Sequence, residues 1–187
     1  MRKRLGSLID AVASLVDHLE RAKLPYAFGG AIAYSAWAEP RATRDIDLNL
    51  WAGASEMDRA FLVLEEAGVS LNREAATREI KERGMFFGMH GEYRVDVFVP
   101  SVPFYEEALN RRVRVRLAER ETWVISPEAL AVFKMLFYRP KDLADVGRLL
   151  EIQGKTFDRG FVRKWLVEML GEDDERLPIW DQLASRT

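Results

Sequence analysis

The chain contains no cysteine and only two histidines, so disulfides, thiolate metal sites and histidine-based metal centres are excluded. A long apolar run is also missing, since no stretch approaches the roughly 18 residues that a membrane-spanning helix needs. Nor is there an excess of positive charge, because the formal net charge is -2 and the pI is about 5.8. These absences do not suggest a membrane protein or a protein that coats nucleic acid non-specifically, and they leave a local basic groove open.

The first four residues are basic and apolar residues follow them, an order that also occurs in signal peptides. Apolar residues then recur every three or four positions over Leu5–Leu19, and Asp10, Asp17 and Glu20 interrupt them at helical spacing. This pattern predicts an amphipathic helix instead, and we expect a cytoplasmic protein. With 187 residues, 48% of them hydrophobic, the chain is long enough for one domain, or one domain with a small helical extension, around a sizeable core.

The segment from residue 26 to residue 50, YAFGGAIAYSAWAEPRATRDIDLNL, carries the most informative pattern. A short apolar run ends in two glycines, an apolar helical stretch follows, and polar and apolar residues then alternate. Side chains two positions apart on a strand point to one face, so Asp45, Asp47 and Asn49 share a face. Two neighbouring carboxylates repel each other, and each raises the pKa of the other. A cation between them removes this repulsion, and oxygen ligands suit Mg²⁺.

The glycine pair predicts a second half of the same site. Glycines between a strand and a helix let the backbone approach a ligand, and the free N–H groups of the helix's first turn attract anions. Gly29 and Gly30 would therefore form a phosphate cradle beside Asp45 and Asp47. The alternative is a tight turn without a ligand, next to two solvated aspartates on a strand, where aspartate is uncommon.

Three motifs of this segment resemble the signature of the nucleotidyltransferase fold of the DNA polymerase beta superfamily: Gly29-Gly30, Arg41-x-Thr43-Arg44 and Asp45-x-Asp47. The similarity is closest to minimal and abortive-infection-type (AbiEii-like) bacterial nucleotidyltransferases. The resemblance implies an α+β fold, in which helices flank a small mixed β-sheet and a C-terminal helical segment follows. It also implies transfer of a nucleoside monophosphate from an NTP with divalent metal ions, Mg²⁺ or Mn²⁺. Many relatives carry Ser or Thr at or just after the second glycine, where this chain has Gly30 and Ala31, so backbone N–H groups alone would hold the phosphates.

The resemblance further implies a third carboxylate on a later strand. Asp96 is the candidate, because it is a lone acid in the apolar run RVDVFV. By this resemblance Asp45, Asp47 and Asp96 hold the metal ions, and Asp96 bridges the second ion or accepts the proton of the attacking hydroxyl. The alternative for Asp96 is an ordinary exposed strand aspartate.

Lys134 interrupts an otherwise apolar helix that is predicted to start at Ser126-Pro127. It either reaches out to solvent, as long lysines do, or serves the site. The abortive-infection-type relatives resemble this arrangement, with a helical lysine followed by two acids three residues apart, here Asp142 and Asp145 after Arg139. The resemblance implies that Lys134 contacts the phosphates and the acids orient it. The predicted catalytic residues are Asp45, Asp47, Asp96 and Lys134, and the predicted nucleotide-binding residues are Gly29, Gly30, Arg41, Thr43, Arg44, Lys134, Asp142 and Asp145.

The order of predicted elements divides the chain into an α+β core over residues 1–125 and a helical segment over residues 126–187 that packs on it. Two charged segments are harder to interpret. Asn72–Arg83 has no clear apolar stripe, which is compatible with a solvated loop or a strand with polar flanks. Arg111–Leu117 alternates arginine with valine and leucine and predicts an edge strand, whose arginines form either a solvated edge or a groove for an acidic acceptor such as RNA.

The reaction expected from the resemblance is in-line attack of an acceptor nucleophile on the α-phosphorus of an NTP, with pyrophosphate as the leaving group. Candidate acceptors are a tRNA end, a protein side chain and a small molecule such as an aminoglycoside. The similarity to toxin-type relatives favours tRNA, with a cognate antitoxin as a partner. The alternative is a nucleotide-binding sensor without transfer activity, or the binding half of a toxin–antitoxin pair.

Overall fold

The structure is a computed structural model that describes residues 7–117 and 119–186. Leu5, the first residue of the predicted N-terminal stripe, and the basic residues before it lie outside the described part. The first helix, α1 (Leu8–Ala22), begins at a capping box in which the Ser7 and Asp10 side chains each bind the other's backbone N–H. It ends at Lys23, which adopts a left-handed conformation.

Six strands form one mixed sheet: β1 (Tyr26–Phe28), β2 (Asp45–Leu50), β3 (Met85–His90), β4 (Tyr93–Phe98), β5 (Val113–Leu117) and β6 (Arg120–Val124). Their order in space is β3-β4-β2-β1-β6-β5. Pairing is parallel between β2 and β4 and between β1 and β6, and antiparallel elsewhere. The predicted edge strand β5 is confirmed, since it lies at one end of the sheet.

Nine helices cover this sheet within the described residues: after α1 come α2 (Gly30–Trp37), α3 (Met57–Glu66), α4 (Arg73–Arg83), α5 (Phe104–Asn110), α6 (Pro127–Phe137), α7 (Pro140–Gln153), α8 (Arg159–Leu170) and α9 (Arg176–Ser185). The α+β class is therefore confirmed. None of these helices combines the length and the apolar character needed to cross a bilayer.

The sheet has one apolar face and one polar face, as the alternation in β2 predicts. Ile46, Leu48 and Leu50 are fully buried on the apolar face, and α3 closes this side by packing Phe61 edge-on against Phe86, with ring centroids 5.3 Å apart. The opposite face carries Asp45, Asp47 and Asn49. Helix α2 contacts β2, and α6 and α7 contact α2 in turn, so the later helices lie near this polar part of the sheet.

Helix α4 replaces the loop or strand expected over residues 72–83, and both expectations were wrong. Its apolar stripe is short, because Ala76 is its one buried residue and Ile80 is partly buried. Its ends are nevertheless well defined. The Asn72 side chain accepts a hydrogen bond from the N–H of Ala75 at 2.9 Å, and Gly84 closes the helix with a positive φ of 66°.

The first C-terminal helix starts where Ser126-Pro127 predicts. Ser126 caps α6 through its side chain, and Tyr138 ends this helix in a left-handed conformation. Pro140 then occupies the first turn of α7, where its missing N–H costs no hydrogen bond. The last helix, α9, buries Leu177 and Trp180 against the core.

Candidate active site

The three predicted acids lie on two neighbouring strands. Asp47 of β2 stands directly opposite Asp96 of β4 in the parallel register, and Asp45 precedes Asp47 by two residues on the same face. Because directly paired residues of adjacent strands point to the same side of a sheet, the sequence-distant Asp96 joins the polar face of β2. The fold thus brings Asp45, Asp47 and Asp96 together.

The glycine turn lies against this acid group. The N–H of Gly29 donates to the backbone oxygen of Asp47 at 2.8 Å. Gly30 has a φ of +48°, and a Cβ placed on it would lie 1.8 Å from Oδ2 of Asp47. A serine or threonine at this position would therefore collide with the carboxylate, which accounts for the glycine here. No side chain within the described residues caps α2, so the N–H groups of its first turn stay available for an anion.

A cleft of about 420 Å³ opens at this point, between the polar sheet face and helices α2, α6 and α7. Every residue that the sequence predicts for the site lines it, with the exception of Asp145, which lies behind Lys134. The cleft is lined by polar and charged residues from four parts of the chain: Gly29, Gly30, Arg41, Thr43, Arg44, Asp45, Asp47, Asn49, Asp96, Lys134, Arg139, Lys141 and Asp142.

Asp47 is the most perturbed of the three acids. Its pKa is raised from 3.8 to about 6, mainly because the carboxyl is buried and also because Asp96 and Asp45 repel its charged form. Lys134 and Arg139 act in the opposite direction but do not cancel this effect. The acid group therefore carries negative charge that its surroundings do not fully balance, and an added cation would restore the balance.

The ligand chemistry of the acid group fits a hard divalent cation, because all three side chains offer carboxylate oxygens. A finished cage for the ion is not present: within residues 7–117 and 119–186, no three Asp, Glu, His or Cys side chains converge on one point. One Asp96 oxygen instead accepts a hydrogen bond from Nε of Arg94 at 2.7 Å. The acids are thus neighbours that would have to turn toward each other to share one cation.

Lys134 is buried, with 4% of its surface exposed, so the prediction that it could reach out to solvent was wrong. Its Nζ lies 2.6 Å from Oδ2 of Asp145 and 3.3 Å from Oδ1 of Asp142. Arg41 binds Asp145 with two hydrogen bonds of 3.0 and 2.9 Å, and Arg139 binds Asp142. We call these five residues, Arg41, Lys134, Arg139, Asp142 and Asp145, the lysine cluster.

Each carboxylate of the lysine cluster is paired with two cations, and the three cations exceed the two carboxylates by one positive charge. Burial favours a raised pKa for Asp142, but the hydrogen bond from Arg139 and the charge of Lys134 outweigh it, and the pKa of Asp142 is lowered. The two acids hold the Lys134 ammonium at the edge of the cleft. Arg41 differs from the prediction in one respect, because its guanidinium is bound to Asp145 and ties the 38–44 link to α7.

Thr43 and Arg44 occupy the remaining part of this link. The Thr43 hydroxyl accepts a hydrogen bond from the N–H of Asp45 at 3.1 Å and so fixes the start of β2. Arg44 is exposed at the cleft and has no carboxylate partner among the described residues.

Three comparisons with known proteins bear on this geometry. No family model and no curated protein matches the chain. Among solved structures, the antibiotic-resistance factor ANT(2'')-Ia superposes with a TM-score of 0.59 at 13% identity, over 95% of this chain and 89% of that one. ANT(2'')-Ia in complex with adenylyl-2''-tobramycin gives 0.59 at 14% identity, over 95% and 97%. The lincomycin-bound lincosamide antibiotic adenylyltransferase LnuA gives 0.52 at 18% identity, over 76% and 96%.

The chain has a nucleotidyltransferase fold. The sequence identities are too low to carry more than the fold, so the roles of the residues in the cleft rest on their geometry. Within this nucleotidyltransferase fold, the glycine turn, the paired strand acids and the helical lysine all border one cleft.

Sequence reasoning missed one charged residue of the site, Arg94. A signal for it existed, since Arg94 precedes Asp96 by two residues on a strand and therefore shares its face. The basic strand face, in contrast, forms no groove at the cleft. Arg111 and Arg114 are ion-paired with glutamates, and neither lines the cleft, which favours the solvated edge over the groove for acidic acceptors.

Proposed function

We propose that the protein is a metal-dependent nucleotidyltransferase that moves a nucleoside monophosphate from an NTP to an acceptor. One observation carries the proposal: Gly30 lies directly against the Asp47 carboxylate, and Asp47 is paired with Asp96. The glycine turn and the two acids therefore belong to a single site. The nucleotidyltransferase fold of the chain supports the same reaction class.

The triphosphate would lie on the first turn of α2. The N–H groups of Gly30 and Ala31 would donate to phosphate oxygens, and the positive end of the helix would favour their charge. Lys134, already oriented by Asp142 and Asp145, would add a fixed positive charge, while Arg41 and Thr43 would hold the link and Arg44 would approach the phosphates from solvent. Most of the catalysis would then come from positioning and charge neutralisation.

Asp45, Asp47 and Asp96 would hold the divalent cation, Mg²⁺ or Mn²⁺. When bound, such an ion neutralises triphosphate charge and lowers the pKa of the attacking hydroxyl. Asp47 is ready for this task near pH 7.5, because its pKa of about 6 leaves it mostly ionised there.

For the acceptor, we propose a tRNA end in a toxin-type role, with a cognate antitoxin and a cytoplasmic location. Arg44 and Lys141 are exposed at the cleft, which suits a neutral or anionic acceptor better than a polycationic one. A protein hydroxyl or a neutral small molecule would satisfy the same charge requirement. The AbiEii-like subgroup is part of this proposal, on the strength of the R-x-T-x-DID motif.

A second candidate function is a nucleotide sensor without transfer activity. The observation that favours it is the Arg94–Asp96 ion pair, which keeps the three acids from forming a finished metal cage in the described part of the chain. A sensor would bind the triphosphate at the glycine turn and the lysine cluster without needing the third acid.

Transfer of label separates the two functions. The protein is incubated with each α-³²P NTP, Mg²⁺ and either a tRNA pool or a cell lysate. We expect label on a macromolecule, and we expect Asp47→Asn to reduce it by about 10²–10³-fold, with exposed Asp173→Asn as the matched control. A wild-type protein that binds NTP but labels no RNA, protein or small molecule is a sensor, and the transferase proposal is then wrong.

A further inference from the structure

Arg94 occupies an unusual position beside the acids. Its Nε donates to Oδ1 of Asp96 at 2.7 Å, and its guanidinium carbon lies 4.3 Å from the ring centroid of Phe87. Phe87 is the β3 residue directly opposite Asp96, and Arg94 itself stands opposite Asp45 on β2. The guanidinium is therefore placed among the three strands that build the acid face.

Arg94 is the cationic partner of Asp96 in this structure. Asp96 is ion-paired with Arg94 and with no other described residue. Lys134 and Arg139, the two cations that act on the neighbouring Asp47, are both bound to the carboxylates of α7. Among the described residues, the negative charge of Asp96 is thus compensated by one arginine of its own strand.

The same ion pair conflicts with metal binding at Asp96. A carboxylate that bridges a divalent cation directs its oxygens at the ion, and Arg94 holds one of those oxygens. A cation and a guanidinium close to the same carboxylate also repel each other. Arg94 and Phe87 are 45% and 43% exposed, so the guanidinium has solvent into which it can move.

We propose that Arg94 is a built-in counter-ion of Asp96, which a divalent cation displaces when Asp96 becomes its ligand. This inference rests on the proposed metal site of Asp45, Asp47 and Asp96, and it adds a residue that sets the affinity of that site. Arg94 is a positioning residue here, because it acts on the metal only through Asp96. The exchange keeps the acid face from carrying three uncompensated charges before the metal and substrate arrive.

Mn²⁺ binding to the full-length protein tests the proposal directly, with free Mn²⁺ measured by electron paramagnetic resonance. Arg94→Met removes the charge and keeps an apolar stem against Phe87. We expect it to bind Mn²⁺ about fivefold more tightly than wild type, the size of an effect of about 1 kcal/mol, which is the upper end for a partly exposed ion pair. Arg94→Lys keeps the charge, and we expect its Mn²⁺ affinity to lie within twofold of wild type.

A matched control and a double mutant test whether Arg94 alters Mn²⁺ affinity through Asp96. Arg163→Met removes an equal charge and breaks an exposed arginine–aspartate pair, with Asp181, outside the cleft, and we expect less than a twofold change. In an Asp96→Asn background, Arg94→Met should no longer alter Mn²⁺ affinity, because its partner is gone. Circular dichroism and thermal melting of each variant confirm that the fold is intact.

The possible results separate this inference from the proposed function. If Mn²⁺ binding depends on Asp47 but Arg94→Met changes it no more than Arg163→Met, the counter-ion role is wrong and the metal site stands. If the tightening persists in the Asp96→Asn background, Arg94 does not act through Asp96 and the proposal is also wrong. A wild-type protein that binds no Mn²⁺ overturns the metal site and this inference together.

Discussion

Two groups of charges border the cleft, and they are balanced in opposite ways. In the lysine cluster, every buried charge has an opposite charge within hydrogen-bond distance: Lys134 contacts Asp142 and Asp145, and each acid also binds an arginine. On the acid face, Asp47 stands next to Asp96 and Asp45, and among residues 7–117 and 119–186 Arg94 is the one cation that forms an ion pair with any of the three side chains. In the lysine cluster every carboxylate is therefore paired and one positive charge is left over, whereas the acid face keeps an excess of negative charge.

This difference indicates a division of labour between the groups. Buried opposite charges that satisfy each other hold their positions without a ligand, so the lysine cluster is pre-organised. Neighbouring carboxylates in a partly buried place cost free energy until something neutralises them. We interpret the acid face as the part of the cleft whose unfavourable repulsion is relieved when cations bind.

The largest expected effect comes from breaking the balanced group. Lys134→Met leaves Asp142 and Asp145 buried with a weaker set of partners, and we expect a loss of about 3 kcal/mol in the free energy of unfolding. Urea denaturation at pH 7.5 measures it. The control is Lys141→Met, an exposed lysine of the same cleft, which should change stability by less than about 0.5 kcal/mol. A loss below about 1 kcal/mol for Lys134→Met would show that the lysine cluster is not structural.

On the acid face, we expect a substitution to raise the free energy of unfolding. The pKa of Asp47 is about 6 in the folded protein, above its ordinary value of 3.8. As the pH rises, Asp47 therefore ionises in the unfolded chain before it does so in the folded protein. The free energy of unfolding falls accordingly between about pH 4 and pH 6. Asp47→Asn removes this cost, and we expect a gain of about 2 kcal/mol at pH 8 without metal and almost none at pH 4.

Urea denaturation across this pH range tests the prediction, with exposed Asp173→Asn as the control. Addition of Mg²⁺ should stabilise the wild type and leave Asp47→Asn nearly unchanged. A destabilised Asp47→Asn at pH 8 would contradict the contrast between the two charge groups.

The smallest effect is expected at the edge of the lysine cluster. Arg41 forms two hydrogen bonds with Asp145, but its side chain is partly exposed and Asp145 keeps Lys134 as a partner. We expect Arg41→Met to cost about 1 kcal/mol by urea denaturation. Arg148→Met, which breaks exposed ion pairs with Glu39 and Glu151, should cost less than Arg41→Met. Equal losses would mean that burial of Asp145 adds nothing to its ion pair.

The local elements of the site could be predicted from the sequence. Alternation in DIDLNL placed Asp45 and Asp47 on one face, and a lone lysine in an apolar helix marked Lys134. Side chains at i and i+2 of a strand also relate Arg94 to Asp96, although the sequence did not show that the two would form an ion pair. These features depend on residues that are close in the chain.

Features that depend on distant residues could not be predicted in this way. The register that sets Asp47 beside Asp96 arises from the parallel pairing of β2 and β4. The two strands are far apart in the chain, so no local sequence pattern specifies how they pair. The contact between Gly30 and the Asp47 carboxylate likewise appears only in three dimensions. Helix α4 was missed because its stability comes from its caps at Asn72 and Gly84 and not from an apolar stripe.

The most direct test of the central claim is a crystal structure of the protein with Mn²⁺ and a non-hydrolysable NTP, in which anomalous scattering locates the metal. We expect a manganese peak within ligand distance of Asp47 and Asp96, the triphosphate on the N–H groups of Gly30 and Ala31, and Arg94 turned away from Asp96. Manganese bound elsewhere, or a triphosphate outside the cleft, would contradict the account.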